Sequence, residues 1–108
     1  QGLTFTIANS SGGSQMIEAA KYIKENSNEN SYIVGENYPV LNYVSGRKVL
    51  IFPETLEEFK ELISSENISF VVVDNFEPTT PEYGKNLQYD VVKIFENNGQ
   101  KVMVYRIK

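Results

Sequence analysis

The sequence predicts an α/β fold: a Rossmann-like layered sheet, mostly parallel, closed by a C-terminal antiparallel hairpin. Segments of helical period alternate with short β-branched runs, the order that builds parallel strands joined by crossover helices. The run Ile68-Ser69-Phe70-Val71-Val72-Val73 is almost continuously apolar, as suits a strand covered on both faces. Asn98-Gly99 supplies the two positive-φ residues of a tight hairpin turn at least cost.

Each element has its own warrant. Leu3-Thr4-Phe5-Thr6-Ile7 alternates apolar and polar residues and breaks at Asn9-Ser10-Ser11-Gly12-Gly13, so residues 1–13 read as a connector or a weak edge strand. Residues 14–108 read as a single α/β domain. Ser14 suits the cap of a helix over 15–26, whose Met16, Ala19, Ala20 and Ile23 share one face. The polar stretch Asn26-Ser27-Asn28-Glu29-Asn30 stops it, and Tyr32-Ile33-Val34 follows as a short buried strand ending at Gly35-Glu36. Pro39 fits a first helical turn and Gly46 the left-handed residue just past a helix end, which predicts a short helix over 39–45. A strand over 48–52 is closed by Pro53. Thr55 and Glu58 form a capping box for a helix over 56–65, with Leu56, Phe59, Leu62 and Ile63 on one face. Near the end, Leu87, Val91, Ile94 and Phe95 keep helical spacing, but β-branching and the Asn-Gly turn favour strands over 89–95 and 101–107. The strands over 32–34, 48–52 and 68–73 are expected as parallel neighbours, the last of them inside the sheet.

Composition narrows the function classes. A chain of 108 residues closes one core, and 41% hydrophobic residues with seven Tyr and six Phe are enough to fill it. Ten basic against fourteen acidic side chains leave a net charge of −4, the wrong sign for gripping phosphates, so nucleic acid is not expected as a partner. With no Cys and no His, thiolate and His-based triads are excluded, and no cofactor is expected. Apolar runs such as Phe70-Val71-Val72-Val73 fall far short of the roughly 20 residues that span a bilayer. Opening on Gln1 with nothing like a signal peptide, the chain reads as a piece excised from something longer.

Candidate chemistry is sparse. Ala8-Asn9-Ser10-Ser11-Gly12-Gly13-Ser14 lies where a phosphate loop would sit, yet matches neither glycine fingerprint and reads as a lead-in with a serine cap. Glu36 and Asp74 each follow a parallel strand at its carboxyl end. On neighbouring strands they would share a rim with Tyr38, able to bind a cation or a sugar hydroxyl or to work as acid and base. The plainer alternative has Asp74 bonding amides of its own loop and Glu36 in solvent. Arg47 stands at the opposite end, where an ion pair with a helix acid is expected. Tyr38, Tyr43, Tyr83 and Tyr89 serve either as stacking surfaces for sugar rings or as ordinary packing. Asn9-Ser10-Ser11 and Asn67-Ile68-Ser69 match the glycosylation acceptor pattern.

Four segments, in order, resemble a known region. They are Ile17-Glu18-Ala19-Ala20-Lys21-Tyr22-Ile23-Lys24-Glu25-Asn26, the turn from Tyr38-Pro39 through Tyr43-Val44-Ser45-Gly46-Arg47-Lys48, Leu56-Glu57-Glu58-Phe59, and Phe70-Val71-Val72-Val73-Asp74. Together they are similar to the tail that follows the last membrane helix in polytopic glycosyltransferases using lipid-phosphate sugars, relatives of the dolichyl-phosphate-mannose-protein mannosyltransferases. The resemblance runs from Met16 to Lys108. It implies a membrane-anchored parent enzyme, with this domain on the extracytoplasmic side, packed on the membrane-embedded part of its own chain or helping to receive acceptor substrate. In that family the catalytic acids lie upstream, so no catalytic residue is carried over. The absence of Trp removes the Trp-Trp-Asp-Tyr-Gly element of the oligosaccharyltransferase cousins.

Overall fold

The helical spacing of Met16, Ala19, Ala20 and Ile23 becomes the sealed face of the first helix, α1 (Gly13–Asn26). The computed structural model describes residues 13–36, 39–75 and 80–107. After α1 come β1 (Tyr32–Val34), α2 (Pro39–Ser45), β2 (Lys48–Leu50), α3 (Leu56–Ser65), β3 (Ile68–Asp74), a 3-10 helix (Glu82–Asn86), β4 (Asp90–Asn97) and β5 (Gln100–Arg106). The expected strand over 3–7, the loop from Ala8 to Gly12 and Tyr38 lie outside the described residues. Because α1 already includes Gly13, Ser14 sits in its first turn rather than capping it; its hydroxyl meets the Gln15 side chain at 3.0 Å.

The five strands form one sheet in the order β2-β1-β3-β5-β4. β1 pairs in parallel with both β2 and β3, so the three expected neighbours are neighbours, with β3 at the centre. The other half is antiparallel, β3 to β5 and β5 to β4. The fold is therefore α/β, but the sheet is mixed rather than mostly parallel, and it does not show a Rossmann fold. The cause is where the hairpin joins. Its second strand, β5, docks on β3 and converts the rest of the sheet to antiparallel pairing, leaving β4 at the edge. Asn98 (φ 55°) and Gly99 (φ 82°) make the expected turn.

A right-handed crossover dictates the helix faces. The step from β1 to β2 moves one way along the sheet and places α2 on one face; the step from β2 back past β1 to β3 moves the other way and places α3 on the opposite face. The core is accordingly double. Met16, Ala19, Ala20 and Ile23 of α1 and Val40 and Leu41 of α2 pack on Ile33, Phe70, Val72, Val102 and Val104. Phe59 of α3 packs with Phe52 on Val34, Ile68, Val71, Val73 and Tyr105. The strand expected over 48–52 stops at Leu50: Ile51 turns outward at 64% exposure and Phe52 dives beneath α3.

Arg47 is the largest departure from expectation at the residue level. It is 9% exposed, and its partners are oxygens of the main chain and a hydroxyl, not an acid. Its Nη2 donates to the carbonyls of Lys24 (3.3 Å) and Ser27 (2.9 Å), its Nε to Ser27 Oγ (2.9 Å) and its Nη1 to the Ser45 carbonyl (3.2 Å). The carbonyls at a helix C-terminus lack intrahelical donors and carry the negative end of the dipole, so the guanidinium satisfies both needs at the end of α1. Gly46, at φ 68°, makes the reversal that brings Arg47 there.

Candidate functional site

Because β1 and β3 run in parallel, Glu36 and Asp74 emerge at the same end of the sheet, where open α/β sheets place ligands. Pleating then gives the two different neighbours. Val72, two residues before Asp74, packs on the α1 face, and Asp74 pairs with Val102, whose side chain is on that face too. Val34, two residues before Glu36, packs on the α3 face, and there the charge of Glu36 is felt at Tyr83. Asp74 is buried and Glu36 half-buried. The rim expected from the sequence thus has both carboxylates at one end of the sheet, Asp74 paired beside Val102 and Glu36 near enough to Tyr83 for its charge to be felt there, while its third member, Tyr38, lies outside the described residues. Among the described residues, no group of three or more acidic side chains gathers as a metal centre.

A concave site lies lower on the α3 face. Thr55 Oγ1 accepts the Glu58 amide at 3.2 Å and starts α3, with Glu57 and Glu58 in the first turn where the helix dipole favours acids. Its first two turns present Leu56, Phe59 and Lys60 to the segment after the 3-10 helix. Between them runs a groove of about 370 Å³, walled also by Tyr83, Asn86, Leu87, Gln88 and Tyr89. Rings form its floor: Phe59 lies 5.3 Å from Tyr83, 6.4 Å from Tyr89 and 6.1 Å from Phe52, centroid to centroid. Mixed apolar walls with a few amides and one ammonium are the usual make-up of a small-molecule cleft.

Tyr83 is fixed at both ends. Its hydroxyl donates to the Pro53 carbonyl and ties the 3-10 helix to the exit of β2. Beside it, Gly84 is buried so close to Phe52 and Thr80 that a Cβ would meet Thr80 Cγ2 at 3.1 Å. Burial, then the nearby charges of Glu58 and Glu36, push the Tyr83 phenol up from 10.0 to about 12. The protonated phenol is the donor that ties the 3-10 helix to the chain after β2.

Of the four tyrosines singled out as stacking surfaces, the structure brings Tyr83 and Tyr89 together in this groove and leaves Tyr43 apart on α2, 71% exposed. Sequence reasoning missed Leu56, Lys60, Asn86 and Gln88. Leu56 was assigned to the buried face of its helix and is instead 43% exposed, which is the signal that this end of α3 overhangs a gap. Within the acceptor tripeptide at Asn67, Ile68 is sealed in the core and Ser69 Oγ lies 3.0 Å from Ser31 Oγ. Among the described residues, no helix is long and apolar enough to cross a membrane. No protein-family model, curated protein or solved structure matches this chain.

Proposed function

We propose that this chain is a non-catalytic domain of a membrane glycosyltransferase that takes sugar from a lipid-phosphate donor. In this reading it stands on the extracytoplasmic side, packs on the membrane-embedded part of its own parent chain and helps to receive acceptor. The four ordered motifs support the family. The observation that carries the non-catalytic role is the difference in neighbours between Glu36 and Asp74. An acid and a base must reach one reacting centre, whereas Asp74 is paired beside Val102 of the α1 face and the charge of Glu36 is felt at Tyr83 of the α3 face. The motifs themselves are spent on the scaffold: Ser45-Gly46-Arg47 bolts α2 to the end of α1, and Phe70-Val71-Val72-Val73 forms the central strand. The reading frame upstream of Leu3 tests the assignment. Several apolar segments of about 20 residues are expected there, and an initiator Met adjoining Gln1 would overturn it. The isolated domain should transfer no sugar from a polyprenyl phosphate, and Glu36→Gln or Asp74→Asn should change nothing measurable beyond stability.

The groove between α3 and the segment 83–89 favours one alternative, a free-standing binding module that takes a small ligand there rather than at the carboxylate rim. The same reading frame separates the two.

A further inference from the structure

We propose that Asn98 is a self-modifying site, which deamidates in the folded chain through a ring closed by the Gly99 backbone nitrogen and leaves aspartate or isoaspartate at the hairpin tip. The structure exposes both reacting groups. Asn98 and Gly99 are solvent-exposed at φ 55° and 82°, and nothing lies within 4 Å of the place where a Cβ on Gly99 would stand. Among the described residues neither the Asn98 amide nor the Gly99 N–H has a hydrogen-bond partner, since the two-residue turn bonds only across its flanks, Asn97 to Gln100.

Three other asparagines are restrained. Asn26 Nδ2 donates to the Tyr22 carbonyl at 2.8 Å and Asn42 Nδ2 to the Arg47 carbonyl at 2.9 Å. Asn75 uses both ends of its amide, donating to the Gly99 carbonyl at 2.9 Å and accepting the Lys101 amide at 2.8 Å. Each of these three is followed by a residue with a side chain, Ser27, Tyr43 and Phe76, which hinders approach of the next nitrogen; Asn98 is followed by glycine.

The chemistry needs only water. The Gly99 nitrogen bonds to Asn98 Cγ and gives up its proton; the Cγ–Nδ2 bond breaks, and ammonia leaves with that proton. Water then opens the five-membered imide at either carbonyl. One opening gives aspartate with the main chain unchanged, and the other gives isoaspartate, in which the main chain runs through the former side chain and gains a carbon. The flanks of the turn are held by Asn75 and by Gln15, whose Nε2 donates to the Gln100 carbonyl at 3.1 Å. An added carbon at the tip therefore strains these two anchors, and through Asn75 it reaches the end of β3.

Timed incubation of the intact chain at neutral and mildly alkaline pH, followed by peptide mapping, tests this. Asn98 should gain one dalton at least about tenfold faster than Asn26, Asn42 or Asn75, a barrier difference of about 1.4 kcal/mol, and faster as pH rises. Fragmentation should show isoaspartate at that position. A rate at Asn98 no greater than at those three would overturn the proposal. So would a rate in the native chain below about a tenth of that in denaturant, because conversion would then belong to the unfolded chain.

Discussion

On one face of the sheet, α1 and α2 lay small and aliphatic side chains, Ala19, Ala20, Ile23 and Leu41, against Ile33, Val72, Val102 and Val104. On the other, Phe52, α3 and the segment 83–89 set four rings, Phe52, Phe59, Tyr83 and Tyr89, against Val34, Val71 and Val73. The alanines let α1 settle close to the strands, and its far end is pinned by the buried Arg47. Edge-to-face ring pairs occur on both faces, Tyr22 with Phe70 on the α1 side and Phe52 with Tyr83 and Phe59 with Tyr89 on the other, and the groove walled by Phe59, Tyr83 and Tyr89 lies on the second. That face is also incompletely roofed: Val91 and Ile94 on β4 are 42% and 52% exposed. The two faces differ in make-up and in where each is concave, since a second hollow of about 370 Å³ lies beside Ser14, Gln15 and Glu18 of α1 and residues 94–97 of β4, and substitutions on each face test what its packing contributes.

The largest effect is expected on the aliphatic face. Val72, 3% exposed on the central strand, would as aspartate bury a charge with no partner. Val72→Asp should cost more than about 4 kcal/mol and leave the chain unfolded, whereas exposed Lys85→Asp should stay within about 0.5 kcal/mol. Thermal melts of the two decide it; equal melting temperatures would show that β3 is not the core.

The sequence legibly gave that face and only part of the other. Helical spacing marked the buried stripe of α1, the capping box marked the start of α3, and Asn98-Gly99 marked the hairpin, because each is a local signal. Which strand the hairpin would join is a choice between distant partners, and no local pattern records that β5 docks on β3. The role of Arg47 is not legible in the sequence because its partners include carbonyls, which every residue carries and no letter announces. The groove was hidden for a related reason. Leu56 obeys the helical period yet overhangs a gap set by where the segment after the 3-10 helix passes.

On the aromatic face, Phe59→Ala should cost about 4 kcal/mol, since Phe59 is 1% exposed and touches three other rings. Denaturant unfolding measures it. A loss near that of a surface substitution would mean that the rings collapse on the vacancy and that the groove is not a fixed shape. Arg47→Ala comes next. It leaves the end carbonyls of α1 in a buried place without donors, at about 3 kcal/mol, and Arg47→Lys should recover only part because an ammonium cannot reach Lys24, Ser27 and Ser45 together. Full recovery by lysine would show that charge alone, without the fork, holds α1 to α2.

The smallest effect at neutral pH, and the one that most sharpens the comparison, belongs to Tyr83. Tyr83→Phe keeps the ring and loses the bond to the Pro53 carbonyl, which should cost about 1 kcal/mol. Its pH dependence is distinctive. The native phenol, raised from 10.0 to about 12, keeps its proton where the unfolded one has lost it, so between those values the native state binds more protons and stability falls as pH rises. Below the unfolded value that contribution is whole; above about 12 it is gone. Tyr105, raised by burial beneath the same face, adds a loss of the same sign. Tyr83→Phe should therefore unfold less steeply than the parent chain from pH 10 upward, retaining the Tyr105 share, and the two stability curves should converge or cross there. Curves that stay parallel through that range would place the tyrosine in solvent and open the wall of the groove.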